Sequence, residues 1–235
     1  MRTKEFLSTR EVEFESINVA ADAAGLAQLT ALGARGVPVV SRADTFIYAQ
    51  DLNEVARFVG LDEHIEPVLD PDELIARMKL VLDIAVGSLQ QIPPEALHDK
   101  LPGRDRSYLD LGNHIVAIYS GCLAVTKGEA FTGAIAKASP KVNLNPNELA
   151  TLATDVTKQL EKWWLQQKDP HCSKTVRTFY GEQSLHAVIE RCTWHVTQHV
   201  RQLMMVLQIL GVTPQRPLTA AHLADLPLPQ EVWDG

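Results

Sequence analysis

Apolar and polar positions change rhythm once along the chain, near residue 65. Before that point the segments are short and mixed. "TKEFLST" has the spacing of a helix. "EFESINV" alternates in the manner of a strand, with Phe14, Ser16 and Asn18 set against Glu13, Glu15, Ile17 and Val19. "GLAQLTALGA" returns to helix, and "VPVVS" and "TFIYA" read as two strands joined by "RAD", a connection tight enough for a hairpin. "DLNEVARFVGL" closes the series as a helix, with Asp51 at the N-cap, Glu54 at the capping-box position and Gly60 at the end. The order helix, strand, helix, hairpin, helix predicts an α/β layer over residues 1–64.

A linker over residues 65–69, within "HIEPVLDPD", leads into a different grammar. From Asp70 onward the pattern is helical and predicts no further strand. "DPDELIARMKLVLDIAVGSLQQI" opens with Asp70 as cap, Pro71 at the first helical position and Glu73 at the capping-box position. Leu74, Met78, Val81, Leu82, Ala85 and Leu89 form one apolar stripe along it. "SYLDLGNHIVAIYSGCLAV" starts at Ser107 with Asp110 three positions on, and "NPNELATLATDVTKQLEKWWLQQ" repeats the signal with Asn145, Pro146 and Glu148. The last helix spans about Ser184 to Leu210 and stops at Gly211, with Pro214 just beyond. Four amphipathic helices over residues 70–213 predict a four-helix bundle. The proline-bearing tail, residues 214–235, predicts an irregular strap or a mobile end. The fold class expected is α/β plus all-α.

Composition narrows the picture. A hydrophobic fraction of 46% and a charged fraction of 22% are those of a folded chain. The apolar runs, such as "MMVLQIL", are far shorter than the roughly 20 residues of a membrane span. "MRTKEFLSTREVEFE" is charged throughout and does not read as a signal peptide. The net charge is −7 with no basic cluster, so neither a nucleic-acid nor a membrane partner is expected. Cys122, Cys172 and Cys192 form no CxxC, which fits a reducing cytoplasm and thiols packed in the core.

The chemistry gathers on the last helix, in "RCTWHVTQHVRQL". At about 100° per residue, His195 and His199 are about 40° apart and share a face. Cys192 falls within about 20° of His199, and Gln202 within about 20° of His195. His186 lies about 180° from His195 and faces away. Two histidines four apart are weak evidence by themselves. They are equally two ordinary polar residues on a half-buried face. A third, His114, sits on the second bundle helix among Leu111, Ile115 and Ile118, where a hydrogen-bonded core histidine is the plain alternative to a ligand. One turn before it, Asp110 is placed to accept an imidazole N–H and orient the ring. Arg104 and Arg106 at the start of the same helix suit a substrate carboxylate, or are solvated charges. Tyr119 suits proton donation, or packing. "GEAFTGAIAKASPKVN" suits a lid over the site, or a plain loop. Trp163, Trp164 and Trp194 read as core or interface residues.

Two resemblances follow from these residues. "TKEFLSTREVEFESINV", "GLAQLTALGARGVPVV" and "FIYAQDLNEVARFVGL" together resemble a glutaredoxin, a thioredoxin-fold protein, that lacks its first strand and its cysteine motif. The resemblance implies a cis proline at Val37-Pro38 and a thiol-binding role for Val37, Pro38 and Asp51. Two accounts fit the missing part: a chain that begins further upstream, which is the one expected, or an accessory unit without the strand. "RDRSYLDLGNHI" and "TWHVTQHVRQL" resemble the DinB-like superfamily of four-helix-bundle metalloproteins over about residues 70–213. That resemblance implies a divalent ion, Zn²⁺ or Ni²⁺, held by His114, His195 and His199. Asp110, Gln202 and Cys192 then form the surrounding shell.

Three neutral nitrogen donors leave a coordination position open, which marks a reactive rather than a structural site. Such a position lowers the pKa of a bound water or holds a thiol as thiolate. Because several DinB-like proteins are thiol-dependent, the expected function is a metal-dependent, glutathione-linked thiol transferase or isomerase acting on a small-molecule electrophile. This reading assigns no catalytic residue and names the substrates by class alone. A non-catalytic redox or stress-response binding module using Cys192, and a hydrolase using metal-bound water, remain open beside it. By resemblance a homodimer is expected.

Overall fold

The computed structural model describes residues 2–19, 21–136, 144–229 and 231–232 of the chain. It is a mixed α/β structure with two small antiparallel sheets and bundle-like helix packing. Backbone contacts divide the chain into two compact units, Met1–Glu66 and Pro67–Gly235.

The first unit holds α1 (Arg2–Ser8), α2 (Ala23–Ala31), β1 (Val39–Arg42), β2 (Thr45–Tyr48) and α3 (Leu52–Val59). β1 and β2 pair antiparallel, with Val39 opposite Tyr48 and Arg42 opposite Thr45. The turn between them places Ala43 at φ 50°, a left-handed position uncommon for a residue with a Cβ. Asp22 caps α2 by accepting from the Ala24 and Gly25 amides. Asp51 caps α3 by accepting from Asn53 N, and Gly60 ends it at φ 84°. The core is small: Phe6, Leu7, Ala49, Leu52, Val55 and Ala56. Asn53 fastens the end of the unit, donating to Ile65 O at 2.9 Å and accepting from Ile65 N at 2.7 Å.

The strand expected at Glu13–Val19 does not form. Among the described residues, those positions belong to no helix or ladder. A strand exists only through its neighbour's hydrogen bonds. Here the segment faces an open groove of about 850 Å³, lined by Phe14, Ile17, Val37, Pro38 and Val40 among others. Alternation of β-formers therefore produced the side-chain pattern of a strand without a strand.

The second unit is organised by four long helices: α4 (Pro71–Gln91), α5 (Tyr108–Thr126), α7 (Pro146–Gln166) and α8 (Leu185–Ile209). The starts follow the capping chemistry in the sequence. Asp70 N donates to Glu73 Oε2 at 3.3 Å, Ser107 Oγ accepts from Asp110 N at 3.0 Å, and Asn145 Oδ1 accepts from Asn147 N and Glu148 N. The α4 stripe Leu74, Met78, Val81, Leu82, Ala85 and Leu89 is buried and joins one continuous apolar core with α5, α7 and α8. Gly112 is where α4 and α5 come close. A Cβ there would lie 2.5 Å from Leu89 Cδ2, so a side chain at this position would displace the leucine. Buried Asn113 donates to Leu144 O and accepts from Leu144 N, fixing the approach to α7 against α5.

A second hairpin corrects the expectation of helices alone beyond Asp70. β3 (Thr175–Thr178) and β4 (Gly181–Ser184) pair antiparallel around a Phe179–Tyr180 tip. The signal was present: "TVRT" alternates, with Val176 and Thr178 buried, and Gly181 takes φ 118°. The segment expected as an irregular lid is partly ordered too. Phe131 is buried and bonds the hairpin through Arg177 O and Phe179 N, and α6 (Gly133–Ala136) follows. Residues 137–143 of that segment lie outside the described ones.

The tail is a strap with one short helix, α9 (Ala220–Leu223). Side chains of the bundle hold it by its carbonyls. Arg77 donates to His222 O, Gln91 to Thr213 O at 2.9 Å, and Arg201 to Pro229 O at 2.6 Å. Among the described residues no helix is long and apolar enough to cross a membrane.

Candidate metal centre

α5 and α8 bring three imidazoles together. Nitrogen atoms of His114, His195 and His199 all lie within 4.8 Å of one another. The ring centroids are 5.6 Å apart for His114–His195, 4.9 Å for His114–His199 and 4.8 Å for His195–His199. The pair on α8 is closest, with Nε2 to Nε2 at 3.0 Å. Nitrogens on a tetrahedral ion at about 2.0–2.1 Å stand about 3.3 Å apart, so this spacing suits one edge of a coordination shell.

The tautomer of His199 follows from its neighbour. Its Nδ1 lies 2.9 Å from Gln202 Oε1, which only accepts. The proton therefore sits on Nδ1, and the Nε2 lone pair points at the cluster. Metal-ligating histidines are held in this way by a hydrogen bond on the far nitrogen. Gln202 also donates to Val232 O at 3.4 Å, and Gln198 donates to Glu231 O at 3.1 Å. Glu231 and Val232 of the strap thus lie beside Gln202, the partner of His199.

Electrostatics keep the two α8 rings, His195 and His199, neutral. Burial pushes the His199 pKa down to about 3, with the charge of His114 and of Arg106 adding to the effect. His195 is held well below 6.5, again by burial first, then by His199, His114, Arg191 and Arg106. Imidazoles that resist protonation are available as donors at neutral pH. With His114 in reach of the same point, the three donors are a set that fits a divalent ion.

The remaining sequence candidates fall in different places. The Asp110 carboxylate closes the α5 cap, accepting from Ser107 N at 3.1 Å and Ser107 Oγ at 2.7 Å. His186 faces away from the cluster, with Nε2 2.8 Å from Leu69 O. Cys192 is buried and pairs with Cys122, a contact that, with burial, raises the Cys122 thiol well above its usual range. Cys192 is therefore a core thiol against α5, outside the three-histidine group. Tyr119 is fully buried near the same two cysteines, and its hydroxyl has no partner among the described residues. Arg104 is exposed and Arg106 half-buried. Trp163 and Trp164 pack on the core edge, with Trp164 Nε1 donating to Asp72 Oδ1.

In the first unit, Val37-Pro38 is cis. Val37 is 59% exposed, and both residues line the groove. Asp51 is engaged as the α3 cap.

The structure gives Trp194, read in the sequence as a core or interface residue, a place beside the cluster, and it adds Arg191, which the sequence had not singled out. Trp194 stacks on His195 at 5.8 Å and 24°. Arg191 lies over Tyr180 at 4.9 Å and over Trp194 at 5.8 Å. Arg191 precedes His195 by one helical turn, so the angular argument that found Gln202 also reaches it. The hairpin tip that covers Arg191 had no such signal. No family model matches this sequence, and no curated protein is significantly similar to it.

Proposed function

We propose that this chain is a metal-dependent, glutathione-linked thiol transferase or isomerase, combining a DinB-like bundle with a glutaredoxin-like unit. The observation that carries the proposal is the convergence of three imidazoles, His114, His195 and His199, on one point, with the two on α8 held neutral. A Zn²⁺ or Ni²⁺ ion in that position supplies Lewis acidity and lowers the pKa of a thiol in its open position. The chain's own residues do the rest. Gln202 holds the His199 tautomer, the apolar packing around His114 fixes that ring, and Trp194 stacks on the His195 ring. The rigid α5–α8 pair sets their separation before a substrate arrives.

Support for glutathione as the thiol comes from the first unit. Its groove of about 850 Å³ is within the range of small-molecule sites, roughly 300–1,000 Å³, and Val37-Pro38 lies on its lining. The substrates in this reading are a small-molecule thiol and an electrophile in the cytoplasm. The test is turnover of an aryl halide by the metal-loaded protein, with and without glutathione. Turnover that needs both metal and thiol is the expected result. Turnover that persists without thiol, or after the metal is chelated away, contradicts the proposal.

A further inference from the structure

The polar face of α8 beside His199 is occupied by the C-terminal strap. Gln198, Arg201 and Gln202 stand three and four positions apart on one side of the helix. The Arg201 guanidinium donates to Pro229 O at 2.6 Å and to Gln198 Oε1 at 2.8 Å. Gln198 Nε2 donates to Glu231 O at 3.1 Å and to Val232 O at 2.8 Å. The same Val232 carbonyl accepts from Gln202 Nε2 at 3.4 Å. The Gln202 amide is therefore held on both sides. Its nitrogen meets a strap carbonyl, and its oxygen lies 2.9 Å from His199 Nδ1.

A carbonyl only accepts, so Val232 O decides which way the amide faces. With Nε2 toward the strap, Oε1 faces His199 and the ring proton sits on Nδ1. His199 Nε2 then presents its lone pair to the cluster. Turned over, the amide would set Oε1 against Val232 O, two acceptors with no proton between them, and would offer Nε2 to His199 Nδ1. The ring proton would then sit on His199 Nε2, where His195 Nε2 lies 3.0 Å away to accept it. In that arrangement the Nε2 atoms of both α8 histidines are closed to an ion.

We infer that the end of the C-terminal strap sets the metal centre: the Val232 carbonyl fixes the Gln202 amide, and the amide fixes the tautomer of His199. Gln202 and Val232 are positioning residues, since each acts through His199. A docked strap keeps the α8 pair open as ligands. A released strap lets the amide turn and the two imidazoles hydrogen-bond to each other. The inference rests on the three-histidine centre proposed above and adds control of its affinity by a segment remote in sequence. It does not depend on which substrate the centre serves.

The experiment compares the full chain with a chain ending at Pro229, both carrying ¹⁵N-labelled histidine. Long-range proton–nitrogen NMR of the metal-free proteins at neutral pH reads the His199 tautomer, with His199→Gln assigning the signal. Competition with a chromogenic chelator reads zinc affinity. The full chain is expected to carry the His199 proton on Nδ1. The shortened chain shifts toward the Nε2–H form and binds zinc about tenfold more weakly. Gln202→Glu in the shortened chain restores both, because a carboxylate offers only acceptors to Nδ1 and needs no strap to orient it. If the shortened chain loses its helical circular dichroism, Gln198→Ala in the full chain takes its place, since it removes the shorter hydrogen bond to Val232 O and shifts both readouts the same way. An unchanged tautomer, or a loss of zinc affinity that Gln202→Glu does not restore, overturns the inference. If the full chain takes up no zinc, the metal reading fails and the tautomer alone decides. Nδ1–H in the full chain with a shift to Nε2–H on release of the strap sustains the inference, and any other result overturns it.

Discussion

The bundle and the N-terminal unit both place candidate ligand-binding residues on short apolar patterns, but they surround them differently. In the bundle, His114 stands in an unbroken core, with Leu111, Ile115 and Ile118 fully buried beside it. In the N-terminal unit, Val37 and Pro38 stand at an open groove whose lining residues Phe14 and Ile17 are about two-fifths exposed, at 41% and 39%. The contrast teaches what each arrangement can do. A packed core fixes three ring positions and keeps the two α8 rings neutral. An open groove fixes little and offers surface to a ligand larger than a water or an ion.

The largest difference to test is mechanical. Ile115→Ala removes a fully buried side chain next to His114 and is expected to destabilise the bundle by about 2–5 kcal/mol. Urea unfolding followed by tryptophan fluorescence reads it, since all four tryptophans lie beyond residue 160. A loss below about 1 kcal/mol would show that the core around the ligand is looser than described.

The pH dependence follows next. His199 has its folded pKa depressed to about 3, against an ordinary value of 6.5. The unfolded chain therefore binds a proton that the folded metal-free chain refuses. The stability tied to this ring is complete above about pH 6.5 and is lost progressively as pH falls toward 3. The urea midpoint of the metal-free protein should drop between pH 7 and pH 4, and His199→Gln should shrink that drop. An equal drop in both proteins contradicts the neutral ring.

A smaller effect is expected at Gln202. Gln202→Ala frees the His199 ring without removing a ligand, and metal affinity should fall about tenfold, with Gln202→Glu recovering most of it. Competition with a chromogenic chelator measures this, and an unchanged affinity removes Gln202 from the site. The smallest effect belongs to the groove. Phe14→Ala at an exposed lining position should change stability by only about 0.5 kcal/mol, read by hydrogen exchange within residues 1–66. A larger loss would mean that the groove wall is part of the N-terminal core.

Much of the bundle was legible because its signals are local. Asp70, Ser107 and Asn145 mark helix starts by capping chemistry that acts within one turn. The angular placement of His195, His199 and Gln202 needs only the helix repeat, and the same arithmetic set His186 aside. What could not be read depends on distant partners. The β3–β4 hairpin is four residues a side and sits between two strongly helical segments, which hid its alternation. Glu13–Val19 had the composition of a strand, but a ladder needs a second segment, and sequence pattern cannot say whether one arrives. Cys192 shared the ligand stripe by angle, yet the packing of α5 against α8 turned its thiol toward Cys122.

The central claim is that His114, on one helix, and His195 and His199, on another, hold one divalent ion. Metal content per chain, measured by mass spectrometry after zinc loading and gel filtration, tests it most directly. The account predicts one equivalent in the wild type and less than about a tenth of that in His114→Ala and in His199→Ala, each with helical circular dichroism unchanged. Full zinc content in either folded variant would contradict it.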